Sequence, residues 1–94
     1  MEFEWDPQKA DANLSKHKVS FHEAATVFSD PFSITVPDPD HSKDEERFII
    51  VGLSYQHRLL IVAFTEREDR FRIISARELT RTEKEAYEQS DFEL

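Results

Sequence analysis

The segment Phe64–Arg81, FTEREDRFRIISARELTR, holds five of the seven arginines of a 94-residue chain whose net charge is −8. A guanidinium stays protonated at any working pH, and its planar fork donates paired hydrogen bonds to phosphate or carboxylate. Gathered around an Ile-Ile-Ser run, these groups offer oxyanion binding and stabilisation of charge developing on a phosphodiester. The competing reading is surface decoration. Strands facing solvent carry arginine for solubility and edge protection, and cross-strand Glu–Arg pairs are ordinary.

Read as a strand, residues 70–76 place Arg70 and Arg72 on one parity with Ile74 and Ala76 following, and Phe71 and Ile73 on the other. The phenylalanine side points at helices, the arginine side away from them. Glu66 and Arg67 sit at the hairpin end of the preceding strand, while Arg77 and Arg81 follow the far end. A strand about 20 Å long cannot bring both of its ends to one phosphate. At most two or three of the five therefore act on the reacting group and the others track the backbone; mid-strand Arg72 is the first choice. Glu66, the only carboxylate wedged between an apolar strand and an arginine, either takes a proton or orients Arg67 or Arg72. Ser75, with no base suggested beside it, reads as a small residue beneath the arginines.

His17 lies one helical turn past Leu14, next to Lys16. Imidazole is the usual general acid or base, yet a basic residue at a helix C-terminus is also favoured by the helix dipole. Both readings stand on the residues alone. Lys16 adds a positive charge that suits phosphate. The histidines at 17, 22, 41 and 57 have no i,i+3 or i,i+4 pairing and do not form a metal set. Gly52 is the only glycine, which rules out a glycine-rich phosphate loop. Asp38-x-Asp40-His41 reads as part of a solvated, proline-punctuated loop.

These groups need a scaffold, and the chain has material for one modest core. It is read as a single domain, 1–94. There is no cysteine, which removes disulfides and thiolate chemistry. No apolar run approaches the roughly 20 residues of a membrane span, and MEFEWDPQ lacks the features of a signal peptide. A cytoplasmic location is expected. Residues 1–47 carry 5 basic and 11 acidic groups, residues 48–94 carry 7 and 9. A locally positive cleft on an acidic body is therefore possible, whereas nonspecific nucleic-acid binding, which runs on basic surface, is disfavoured. The acidic body also suits a basic protein partner.

Asp6-Pro7 signals a first helix ending near Lys18, with Ala10, Leu14 and His17 on one stripe. Ser20-Phe-His-Glu23 reads as a capping box for a second helix with Ala24, Val27 and Phe28 inward, stopped at Ser29-Asp30-Pro31. Strands are expected at Phe32–Val36, Arg47–Leu53, Arg58–Thr65 and Arg70–Ala76, with residues 66–69 turning the chain. Thr80-x-x-Glu83 opens a third helix to about Gln89, with a thin apolar face of Ala86 and Tyr87. Trp5 closes the bottom of the core. The sum is an α+β domain of two N-terminal helices, a four-stranded antiparallel sheet and a C-terminal helix.

Blocks spread along residues 3–88 resemble one family in its order: FEWDPQKADANLSKHKVSF, EAATVFSDP, PDPDH, EERFIIVGLS, LLIVAFTER and RIISARELTRTEKEAYE. They are similar to the BrnT toxins of type II toxin–antitoxin systems. The resemblance implies a RelE-like microbial ribonuclease fold and metal-independent cleavage of RNA without a cofactor. It also implies neutralisation by a BrnA-like ribbon-helix-helix antitoxin, in a toxin–antitoxin heterotetramer that reaches operator DNA only through the antitoxin. Two departures stand out. The family has glycine at the position of Lys18, and it is more basic after Ser75-Ala76-Arg77, where this chain has Glu78, Glu83, Glu85 and Glu88.

Cleavage of RNA without a metal requires a base for the 2′-hydroxyl, an acid for the departing 5′-oxygen, and cations for the phosphorane. On the resemblance, Arg77 joins Arg72 as a catalytic candidate, and the Lys16-His17 pair moves His17 toward proton transfer, with Glu66 completing the catalytic set. Lys16, Arg67, Arg70 and Arg81 are the candidates for substrate binding. The alternatives are a noncatalytic protein-interaction domain of the same fold, or a degenerate toxin that retains only antitoxin binding.

Overall fold

Asp6 starts the first helix by the capping expected of it. A computed structural model of the chain describes residues 1–39 and 46–89. Helix α1 spans Pro7–His17, and the Asp6 carboxylate accepts from the Gln8 N–H at 2.8 Å. Helix α2 spans Phe21–Thr26 and tightens into a 3-10 turn over Val27–Ser29. Five strands follow the chain as β1 (Glu2–Glu4), β2 (Ile34–Pro37), β3 (Arg47–Leu53), β4 (Leu59–Arg67) and β5 (Arg70–Glu78), and α3 spans Arg81–Glu88.

The sheet order is β1-β5-β4-β3-β2, with β1 parallel to β5 and the other pairs antiparallel. The expected four-stranded antiparallel sheet is thus corrected to five mixed strands, and a strand, not a helix, opens the chain. Glu2-Phe3-Glu4 is too short to carry a periodic signal. It is fixed by what it meets: Phe3 packs against Phe28 and Phe71 at centroid distances of 5.0 and 5.9 Å. Residues 66 and 67 also belong to β4, since the turn is only Glu68-Asp69.

On one face of the sheet Ile50, Leu60, Val62, Phe64, Ile73 and Ala76 are buried against Val19, Phe21, Ala24 and Val27. Trp5 borders this core, edge-on to Phe21. Gly52 lets β3 approach the 3-10 turn: a Cβ there would lie 2.9 Å from Asp30 Oδ2 and 3.1 Å from Val27 Cγ1. The opposite face carries a smaller cluster of Val51, Ile61 and Leu79, with Tyr87 of α3 packed against it.

The capping box expected at Ser20 is half made. Ser20 Oγ accepts from the Glu23 N–H at 3.0 Å, but the Glu23 carboxylate turns inward. It accepts from Ser54 Oγ at 2.6 Å and Arg58 Nε at 2.9 Å, and pairs with Arg58 Nη2 as well. The Arg58 guanidinium holds the Glu23 carboxyl below its ordinary range despite burial. Arg58 Nη2 also donates to the Lys18 carbonyl at 3.1 Å. That contact steadies an unusual turn, for Lys18 stands at φ 61°, ψ 30° with its N–H on the Leu14 carbonyl. A lysine therefore makes the left-handed helix end that glycine adopts without strain.

The stripe of α1 also differs from expectation. Leu14 is 49% exposed, and the buried residue is Asn13. Its amide donates to the carbonyls of Val19 and Ala76, both at 2.9 Å, and accepts from the Ala76 N–H at 3.0 Å. The cause lies in the sheet: β1 covers β5 only over residues 70–72, leaving the backbone edge further along without a strand partner. Asn13 supplies both hydrogen bonds there, as a neighbouring strand would.

Thr80 caps α3 with a full box: Glu83 N–H donates to Thr80 Oγ1 at 3.2 Å, and Thr80 N–H to Glu83 Oε1 at 2.8 Å. The same carboxylate receives Arg77 through both terminal nitrogens, at 2.8 and 3.1 Å. Arg77 is the main cause of a Glu83 pKa lowered to about 2.

Three stability outcomes follow from these contacts. Lys18→Gly will raise unfolding free energy by about 0.5–1 kcal/mol, as relief of the left-handed strain outweighs the added freedom of the unfolded chain. Asn13→Ala will lower it by about 2–3 kcal/mol, because the Ala76 N–H and C=O lose their partner. Both are read from urea unfolding. Glu83 titrates lower when folded than its ordinary 4.5, so its contribution is complete above about pH 4.5 and is lost as pH falls toward 2. Stability over that interval will drop less steeply in Glu83→Gln than in the wild type; parallel profiles would contradict the ion pair.

Candidate active site

One irregularity in β5 decides which side chains share a face. Thr65 pairs with Arg72 and Phe64 with Ile73, yet Ala63 pairs with Ser75, so Ile74 is an extra residue with no partner on β4. This bulge shifts the alternation by one. Arg70 and Arg72 point to the face away from α1 and α2 before it, and Ser75 and Arg77 point to that same face after it. Uninterrupted alternation would have sent Arg77 toward the core.

A cleft of about 290 Å³ opens on this face, lined by His17, Asp38, Arg47, Ile49, Ile61, Ala63, Ser75, Ala76 and Arg77. Ala63 and Ser75 are directly paired and small, which gives the cleft its floor. Arg47 comes from the start of β3 and Arg77 from the far half of β5. His17 arrives from the end of α1, which Asn13, one helical turn earlier, fastens to the β5 edge.

The residues proposed from sequence divide accordingly. His17 and Arg77 line one cleft, with Ser75 between the arginines as a small residue. Lys16 stands beside it and lines a shallower groove with His17, Ser75 and Ile74. Arg72 projects from the same face but is engaged by Glu4 of β1, Nη1 to Oε2 at 2.8 Å, and does not line the cleft. Arg70 pairs with Glu2 and Glu4 at 3.4 and 3.6 Å. Arg67 lies opposite Arg70 at the hairpin end. Arg81 is 94% exposed on α3 and pairs with Glu85. Glu66 is corrected: it pairs across β4–β5 with Phe71, whose ring packs among Phe3, Phe28 and Phe64. That parity turns Glu66 away from the cleft, and it is not among the lining residues.

Arg47, Asp38 and Glu83 complete the surroundings, and the sequence signals of all three are those of local structure. Arg47 opened an apolar strand and read as its first residue. Asp38 read as solvated loop, but only 7% of it is exposed; Asp40 and His41 of that motif lie outside the described residues. Glu83, whose sequence signal is a helix cap, also holds Arg77 bidentately, raising the arginine's pKa further through that hydrogen bond. Arg77 Nη1 donates in addition to the Glu78 carbonyl at 3.1 Å. Among the described residues, no group of three or more His, Asp or Glu side chains is placed to hold a metal ion, and no helix is long and apolar enough to cross a membrane.

The arrangement can bind an oxyanion between two guanidinium groups with an imidazole beside it. Residues 5–83 match the family described as the ribonuclease toxin, BrnT, of type II toxin–antitoxin systems. The fold is similar to the crystal structure of the Brucella abortus ribonuclease toxin BrnT, with a TM-score of 0.68 over 86% of this chain and 99% of that one, at 21% sequence identity. A search among curated proteins finds no match. With the family matched over most of its length, the chain belongs to the BrnT ribonuclease toxins of type II toxin–antitoxin systems.

Proposed function

We propose that this chain is a metal-independent endoribonuclease toxin of RelE-like architecture that cleaves RNA in the cytoplasm and so inhibits translation and growth. The observation that carries the reading is the meeting of His17 and Arg77 in one concave site over a small floor. In the proposed reaction the 2′-oxygen attacks the adjacent phosphorus and loses its proton. The bond to the 5′-oxygen then breaks, leaving a 2′,3′-cyclic phosphate and a 5′-hydroxyl. His17 takes the 2′-hydroxyl proton and returns a proton to the departing 5′-oxygen, and Arg77 stabilises the charge added to the phosphorane. Arg72, Arg70 and Arg67 continue the same face toward the hairpin and, with Lys16, track flanking phosphates. Arg81 stands too far into solvent on α3 to join them.

A type II toxin has an antitoxin protein as its partner, and the proposal extends this to a basic, BrnA-like ribbon-helix-helix protein. The net charge of −8 supports a basic partner. The assembly would be a heterotetramer that meets operator DNA through the antitoxin. A second reading, a degenerate toxin that only binds its antitoxin, draws on the number of arginines already matched by carboxylates, Arg72 by Glu4 and Arg77 by Glu83 among them.

Expression alone and together with the product of the neighbouring reading frame separates the two. The toxin reading expects growth arrest relieved by the partner, and RNA products that end in 2′,3′-cyclic phosphate and form in EDTA. Arg77→Ala and His17→Ala will each reduce cleavage by about 100-fold or more; His17→Ala will leave the thermal midpoint little changed, whereas Arg77→Ala will also lower it through loss of the pair with Glu83. Intact RNA alongside normal partner binding would favour the degenerate toxin, and strict dependence on divalent ions would overturn the mechanism.

A further inference from the structure

Six of the seven arginines have a partner. Arg58 meets Glu23, Arg70 meets Glu2 and Glu4, Arg72 meets Glu4, Arg77 meets Glu83, and Arg81 meets Glu85; Arg67 is engaged as well. The guanidinium of Arg47, among the described residues, makes no hydrogen bond or ion pair, although the side chain is half-buried and lines the cleft. Its backbone is held firmly. The Arg47 carbonyl accepts from the Asp38 N–H at 2.8 Å, the residue pairs with Thr65 of β4, and the Thr65 hydroxyl donates to the Glu46 carbonyl at 2.8 Å.

Charge in the cleft then decides the roles. The Arg77 charge is offset by Glu83, and three of its five N–H bonds are committed to Glu83 and the Glu78 carbonyl. Asp38 contributes a carboxyl group to the lining. Without Arg47 the cleft would hold a neutralised arginine, a carboxyl group and His17, a poor receptor for an anion. With it, a fixed backbone presents a guanidinium whose whole fork is available in a concave, partly dehydrated site, where charge-assisted bonds are strongest.

We infer that Arg47 is the principal phosphate-binding residue of the cleft, a catalytic residue in contact with the scissile group, and that Arg77 is secondary to it. This rests on the ribonuclease reading above, and the test is arranged to tell the two apart. Two probes are titrated against the folded protein: inorganic phosphate, followed by NMR, and a 2′-O-methyl RNA oligonucleotide, which lacks the attacking hydroxyl and stays intact. Arg47→Ala is expected to weaken both at least tenfold. It should also lower the slope of log K against log salt for the oligonucleotide by about 0.7, the value of one phosphate contact on a single strand. Arg47→Lys should recover part of the loss, since it restores charge without the fork. Arg77→Ala should cost less than Arg47→Ala, and Lys84→Ala, a charge loss on α3, less than twofold. Because the Arg47 side chain holds nothing in place, its variants should keep the thermal midpoint. Binding by Arg47→Ala within twofold of wild type, or a larger loss for Arg77→Ala, overturns the assignment, as does a wild type that binds neither probe. Arg47-dependent binding of phosphate without binding of the oligonucleotide would sustain the anion site and reject RNA as its ligand.

Discussion

The extra residue in β5 is the constraint on which the rest of the structure depends. Ile74 has no partner on β4, and by occupying one position alone it reverses the alternation of every residue after it. Ser75 and Arg77 thereby join Arg70 and Arg72 on one face, and Ala76 takes its buried place beneath the helices. The same stretch of β5 is left uncovered by the three-residue β1, and Asn13 fills the vacancy with hydrogen bonds to both backbone groups of Ala76. The bulge therefore fixes the arginine on the sheet, and the short β1 leaves the edge to which the histidine-bearing helix is fastened.

The position of His17 is set from both sides. Asn13 ties the helix to the sheet edge, and the left-handed Lys18 reverses the chain immediately afterward. That turn is braced by Arg58, whose guanidinium spans the Lys18 carbonyl and the buried Glu23 carboxylate. Burying such a pair carries a desolvation penalty that its mutual attraction only partly offsets, so it is not an obvious source of net stability. Its geometric effect is clear: it links α2, the β3–β4 hairpin and the end of α1.

Acidic composition and a cleft lined by two arginines coexist because most of the arginines have acidic partners. Glu2 and Glu4 serve the arginines on β5 near the hairpin, Glu83 serves Arg77, and Glu85 serves Arg81. A positive group matched in this way contributes shape and hydrogen-bond direction more than net potential. Under the proposal, attraction for an anion falls to Arg47, and the small side chains of Ala63 and Ser75 leave the cleft open beside it.

Elements with local signals were legible in the chain before folding is considered. The Asp6 and Thr80 caps, β3 over residues 47–53 and the arginine face of residues 70–72 all depend on neighbours a few positions away, and helical or strand periodicity reports them directly. Blocks of the sequence also carried the family. Tertiary structure alone decided β1, the bulge at Ile74, the inward turn of Glu23, the burial of Asn13 in place of Leu14, and the meeting of Arg47 with His17 and Arg77. Each of these answers a demand made by a distant segment, such as an uncovered strand edge, a ring needing a neighbour or a carboxylate finding a guanidinium 35 positions away. No pattern within a single helix or strand encodes such a demand, because the group that makes it arrives only when the chain has folded.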